Sequence, residues 1–167
     1  MATDSWEIRL VSPEDNGVLS EVLRTVLHEM AVPYEGTALS DPELDNIYGA
    51  YRDHHADYWV VTHEQQVMGG AGIAPLRNGP EKYCELQKMY FLPQARGQGL
   101  GHQMMRKCLQ QAKQFGFTTC YLETMPNMRD AQRLYQQWGF EYIDGPLGNT
   151  GHSSCPVWMI KSLCDDF

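Results

Sequence analysis

Apolar residues recur at Val18, Leu19, Val22, Leu23, Val26 and Leu27, the three-and-four spacing of a helix with one buried face. Just upstream, Ser12-Pro13-Glu14-Asp15 carries helix-start chemistry: a hydroxyl that can cap, a proline suited to the first turn, and early carboxylates. Residues 7–11 ahead of it read as a short strand, and the helix should end before Pro33. Asp41-Pro42 then opens a second helix running to about Arg52. Residues 58–62 and 67–75 read as two strands of a hairpin joined by a polar turn at 63–66, with Gly69, Gly70 and Gly72 permitting a bulge. Asn78-Gly79-Pro80 is a turn, and residues 83–92 form the next strand, closed by Pro93.

The second half repeats the alternation. A helix from about Gly99 to Gln114 puts Leu100, Met104, Cys108 and Ala112 on one stripe, with Gly116 placed to cap its end. Residues 118–124 are a strand, 130–138 a helix stopped by Gly139, and 140–143 and 157–161 two more strands. Seven strands and four helices in the order β-α-α-β-β-β-α-β-α-β-β predict an α/β (α+β) chain, a mixed sheet flanked by helices.

Composition narrows the partners. At 167 residues the chain suits a single domain, 1–167, with 43% apolar and 20% charged residues. A formal net charge of −8 argues against a nucleic-acid or anionic-membrane partner, since both need a basic stripe. No basic segment leads into an apolar run near the start, and no window holds 18 apolar residues, so a cytoplasmic protein without membrane spans is expected. The five cysteines, Cys84, Cys108, Cys120, Cys155 and Cys164, are scattered without a metal or disulfide spacing and read as reduced, mostly core thiols. His54-His55 diverge around a helix, and His152 with Cys155 lacks further ligands, so no metal is expected.

The chemistry concentrates at Arg96-Gly97-Gln98-Gly99-Leu100-Gly101, a strand-to-helix turn. A helix N-terminus has unsatisfied N–H groups and partial positive charge, and glycines let an anion reach the backbone. Two nucleotide motifs fail on spacing. A Walker loop needs Gly-Lys-Ser/Thr, and a dinucleotide fingerprint needs Gly where His102 stands.

With its flanks, this turn resembles the acetyl-CoA signature of the GNAT superfamily, Arg/Gln-x-x-Gly-x-Gly/Ala, matched by Arg96, Gly99 and Gly101. Upstream, Glu85-Leu86-Gln87-Lys88-Met89-Tyr90-Phe91-Leu92-Pro93 is similar to that family's preceding strand. Downstream, Ala131, Leu134, Tyr135, Gly139 and Phe140 match its later helix. The resemblance implies a three-layer, mostly antiparallel sheet splayed between the fourth and fifth strands. It also implies acetyl-CoA as co-substrate and N-acetyl transfer to a primary amine by direct attack in a ternary complex.

Transfer from a thioester to an amine needs an amine stripped of its proton, a polarised carbonyl and a stabilised thiolate. The resemblance places Glu85 as the first candidate base, with Glu123 second, and Tyr135 as the donor to the sulfur. For the coenzyme it implies main-chain groups at Met89, Tyr90 and Phe91, the turn from Arg96 and Gly97 through Gln98, Gly99, Leu100, Gly101 and His102, and a contact from Asn127. Each residue has a plainer alternative. Glu85 and Glu123 could be exposed or ion-paired strand carboxylates, Tyr135 a core aromatic, Asn127 a helix cap for residues 130–138, and His152 an exposed loop histidine.

The acceptor is least legible. Residues 33–36 and the loop 145–156 are its expected walls, and the acidic balance favours a small amine or amino-acid derivative. A peptide or protein acceptor, a non-catalytic acyl-CoA sensor and an interaction module remain alternatives, and an exposed edge near the C-terminal strands is compatible with a homodimer.

Overall fold

The computed structural model describes residues 5–53 and 55–164, so His54 lies outside the described residues. Strand β1 (Trp6–Leu10) leads through a 3-10 turn at Pro13–Asp15 into helix α1 (Asn16–Glu29). Asp15 fixes that turn by accepting from the Ser12 N–H at 2.8 Å and from both Arg9 guanidinium nitrogens at 2.8 and 2.9 Å. On α1, Leu19, Leu23 and Leu27 are fully buried, a burial that stabilises by roughly 1.5–3 kcal/mol per side chain. Val18, expected on the same face, is exposed instead.

The expected helix from Asp41 to Arg52 is not continuous. Pro42–Asp45 is a 3-10 turn, and only Ile47–Ala50 is α-helical (α2). Asn46 separates them at φ −145°, ψ 66°, and its side chain accepts from the Gly49 N–H at 2.9 Å. A side chain that bonds its own backbone ahead restarts the helix there rather than letting the earlier turn run through.

Strands β2 (Asp57–His63) and β3 (Gln66–Pro75) form the expected hairpin, and β4 (Tyr83–Phe91) extends it into a meander. Helix α3 (Leu100–Gln114), β5 (Thr119–Thr124), α4 (Arg129–Gln137), β6 (Glu141–Ile143) and β7 (Val157–Ser162) complete the chain. Gly116, at φ +91°, closes α3, with Phe117 N–H donating to the Ala112 carbonyl at 3.1 Å.

The seven strands lie in the order β1-β2-β3-β4-β5-β7-β6, antiparallel at every seam except β4–β5. Alternation along β2 divides the two cores. Tyr58 and Val60 face α1, Leu44 and Ile47, whereas Trp59 and Val61 face α3 through Met104, Met105 and Leu109. Two features open the middle of this sheet. Strands β4 and β5 pair only from Tyr83 to Glu85, although β4 continues to Phe91. In the same stretch Lys88 has φ +49°, and two residues of β4, Lys88 and Met89, stand opposite Ala71 alone. The bulge predicted at the glycines of β3 is present against β2, where Met68 beside Gly69 is the extra residue between Val61 and Thr62, and a second bulge, against β3, has its extra residue on β4.

The glycines have another task. A Cβ at Gly70 or Gly72 would lie 2.5 or 2.6 Å from the Tyr58 ring, so their bare backbone is what lets that ring lie across β3. Its hydroxyl then reaches the bulge.

Candidate active site

The divergence of β4 from β5 creates a cavity of about 420 Å³ closed by the C-terminal end of α1, the start of α3 and the face of α4. Beyond Glu85 the edge of β4 has no strand beside it, so its main-chain groups face this space. Met89, Tyr90, Phe91, Arg96, Gly97, Gly101 and Asn127 line it, and so does Tyr135.

At the mouth, Gly97 and Gly99 take φ +75° and +77°, a left-handed turn that glycine enters without a Cβ penalty. The first rung of α3 is Gln103 N–H to the Gly99 carbonyl at 3.2 Å, which leaves the N–H groups of Leu100, Gly101 and His102 without intrahelical partners. Gly101 lets α3 approach α4, since a Cβ there would lie 3.0 Å from a Leu134 methyl. Arg96 is oriented by its Nε donating to the Phe91 carbonyl at 3.0 Å, and its other nitrogens meet Glu29 of α1 at 2.6 and 3.1 Å. A cation, three free amides and a glycine-only turn suit a pyrophosphate, and a partly apolar cleft beside an unpaired strand edge suits an amide-bearing arm. Coenzyme A has both parts, and these residues fit it.

Not every residue expected at this turn lines the cavity. Gln98 folds back to donate to the Gln94 carbonyl at 2.6 Å, Leu100 is buried in the core, and His102 Nδ1 accepts from Trp138 Nε1 at 3.0 Å. Asn127 does not cap α4, whose cap position is Met128; it donates instead to the Met30 carbonyl at 2.7 Å and tethers α1 to the loop after β5. Helix α1 already offers that carbonyl at its frayed end, so the amide is satisfied across the cleft.

Tyr135 is buried on α4 with its ring 6.0 Å from that of Phe140. Burial pushes its phenol above the ordinary range, so it remains a neutral donor. Among the described residues no fully buried side-chain polar atom lacks a partner, and Tyr135 donates to no protein group, which turns its hydroxyl toward the cavity.

A second, much smaller cavity of about 30 Å³ lies on the α1 side of the sheet, lined by Glu85, Lys88, Glu123, His152 and Cys155 among others. Tyr90 and Met128 line both cavities and form the wall between them. Glu85 and Tyr121 are register partners across β4–β5, so Glu85, Gln87, Tyr121 and Glu123 share one face. Glu85 is 5% exposed, and burial pushes its carboxyl up to about 7 against the bond it accepts from Gln87 Nε2 at 2.6 Å. Tyr51, the residue that follows α2, holds Gln87 in turn, donating to its Oε1 at 2.5 Å.

Glu123 is neither exposed nor paired with Lys or Arg. It accepts from the Tyr121 hydroxyl at 2.6 Å and from Thr150, with His152 Nδ1 at 3.9 Å. Nor is His152 an exposed loop residue: its side chain is 16% exposed and its Nε2 lies 2.8 Å from Asp41 Oδ2. Asp41 also meets Lys88 Nζ at 3.3 Å, and Glu43 meets the same nitrogen at 2.5 Å. The Asp41, Lys88, Thr150 and Tyr51 contributions went unread in the sequence; only the Asp-Pro step drew notice at Asp41, as a helix start. A lysine three residues past Glu85 within the same strand is the signal that could have prompted a search for acids. Among the described residues no group of three or more His, Cys, Asp and Glu could hold a metal ion, and no helix is long and apolar enough to cross a membrane.

Comparison with known proteins agrees with this geometry. The chain is 42% identical over 164 residues, 98% of each chain, to a protein of Escherichia coli K12 named "Uncharacterized N-acetyltransferase YjgM". Its fold is similar to that of a GNAT-family acetyltransferase from Staphylococcus aureus Mu50, with TM-score 0.84 at 21% identity over 95% of this chain and 99% of that one. It is also similar to yncA from Salmonella typhimurium, solved with its cofactor acetyl-CoA, with TM-score 0.75 at 17% identity over 97% and 95% of the two chains. Residues 24–140 match the acetyltransferase (GNAT) family, which takes in the splayed strand, the glycine turn and the Tyr135 helix, and the chain therefore belongs to that family.

Proposed function

We propose that this acyltransferase moves an acetyl group from acetyl-CoA to the primary amine of a small molecule, by direct attack while both substrates are bound. The observation that carries the reading is the placement of Glu85 and Tyr135 in two cavities divided only by Tyr90 and Met128, a carboxylate on one side and a phenol on the other. Acetyl-CoA supplies the thioester carbonyl carbon. Arg96 and the free amides of α3 hold its pyrophosphate, and the unpaired edge of β4 holds its arm, with the Met89 N–H polarising the carbonyl.

Glu85 accepts the proton of the amine. A carboxyl lifted toward neutrality is better matched to that transfer than one near its ordinary value. Tyr135 donates a hydrogen bond to the departing sulfur, where full proton transfer from a phenol would run uphill. Cys155 is a poor nucleophile because burial pushes its thiol up to about 12, which supports direct attack over an acyl-enzyme.

Two bonds favour a compact acceptor over a polypeptide. Ser154 N–H donates to the Gly36 carbonyl at 3.0 Å, and His152 meets Asp41, so the loop before β7 is tied across the acceptor cavity to the segment after α1. The test is thiol release from acetyl-CoA across a panel of polyamines, amino acids and short peptides. Turnover with a small amine and little with peptides is expected. Acyl-CoA binding without thiol release for any amine would replace the enzyme with a sensor.

A further inference from the structure

His152 lies 111 residues from Asp41, yet the fold sets its Nε2 2.8 Å from that carboxylate and beside Glu85, Lys88 and Glu123 at a cavity of about 30 Å³, the space of about one water or one amino nitrogen.

The groups that face His152 come from every element around it. Asp41 and Glu43 come from the start of the 3-10 turn, Glu85 and Lys88 from β4, Glu123 from β5 and Cys155 from the loop itself, while Tyr51 and Tyr121 stand behind them, bonded to Gln87 and Glu123. Two carboxylates in one poorly hydrated cavity oppose each other's ionisation, and Glu123 does raise Glu85. Lys88 is already matched by Asp41 and Glu43, which leaves the imidazole as the group set closest to Glu123 with a charge able to offset it.

We propose that His152, clasped by Asp41, is a positioning residue that stands as a cation over the acceptor pocket and holds Glu85 in its proton-accepting form. The inference rests on the reading of Glu85 as the base. The step it serves is balanced: an N–H bond of the protonated amine breaks, the electron pair stays on nitrogen, and an O–H bond forms on Glu85. Burial works against the imidazolium, but the bond and charge of Asp41 outweigh it, and the group is raised above its ordinary value. By the same coupling His152 lowers Glu85, and Glu85 raises His152.

The test is the pH–rate profile with the preferred amine, measured for the full chain. In His152→Gln the acid limb should move up by about half a pH unit, a roughly threefold loss near pH 6, with the alkaline plateau within about twofold of wild type. His152→Arg, which keeps a cation, should restore the limb, and Asp41→Asn should move it the same way as His152→Gln. A uniform loss with an unmoved limb would overturn the proposal. An NMR titration of the His152 imidazole gives a readout independent of turnover: in Glu85→Gln it should titrate lower than in wild type. No change there overturns the coupling even if the enzyme is active, whereas an inactive wild type with an intact NMR coupling overturns only the proposed activity.

Discussion

The Tyr58 hydroxyl donates to the carbonyl of Lys88 at 2.8 Å, so a side chain of β2 passes over two glycines of β3 to fix the bulge on β4. That bulge positions Met89, a residue that lines the donor cavity. Tyr58→Phe keeps the ring on its glycine floor and leaves a buried carbonyl without its donor. It should destabilise by about 1–3 kcal/mol in urea melts and raise the acetyl-CoA KM several-fold.

Glu85 makes stability depend on pH in a defined direction. Its carboxyl is raised from 4.5 to about 7 in the folded chain, so between these values the native state binds more protons than the unfolded one. This group's contribution therefore falls as pH rises through that window, at a slope of up to about 1.4 kcal/mol per pH unit. Glu85→Gln should remove that slope. Urea midpoints of the two proteins at pH 5 and pH 7.5 check it, and turnover should fall by about 100-fold or more while coenzyme A still raises the melting temperature.

Tyr135→Phe retains the packing against Phe140 and deletes the donor. A drop of about 10- to 100-fold in kcat is expected, with coenzyme A affinity unchanged by calorimetry. Equal losses in affinity and kcat would assign the ring to binding instead.

Arg96 is paired with Glu29, and in the proposed function it also meets the coenzyme's pyrophosphate. Its guanidinium meets the Glu29 carboxylate, and a phosphate at the turn must compete for it. Arg96→Ala should weaken coenzyme A binding by about 10-fold, whereas Glu29→Gln should tighten it by no more than about threefold, because the pair is largely open to solvent. Calorimetric titration with coenzyme A distinguishes the two signs.

Local signals carried far in this sequence, and distant ones did not. The period of α1 and α3, the cap at Gly116 and the turn at Arg96 each depend on residues within a few positions of one another, so they were legible. The broken helix after Pro42 turned on one asparagine bonding its own backbone, a choice that periodicity does not encode. His152 and Asp41 are 111 residues apart, and nothing in either neighbourhood marks the other. Asn127 likewise found its acceptor on α1 instead of on the helix it precedes. Gly70 and Gly72 are legible as residues that permit a bulge, but what lies against them is a tyrosine ring from the adjacent strand.

The three-residue seam between β4 and β5 has a consequence for what can occupy the gap. An unpaired strand edge ordinarily invites another polypeptide to add alongside it. Here the edge is flanked by α1, α3 and α4, which narrow the approach to it. A narrow, thread-like molecule suits that approach, as the pantetheine arm does in the proposed reading. Interrupting its own sheet thus gives the protein a size filter made of backbone, one that selects ligands by slenderness before any side chain reads them.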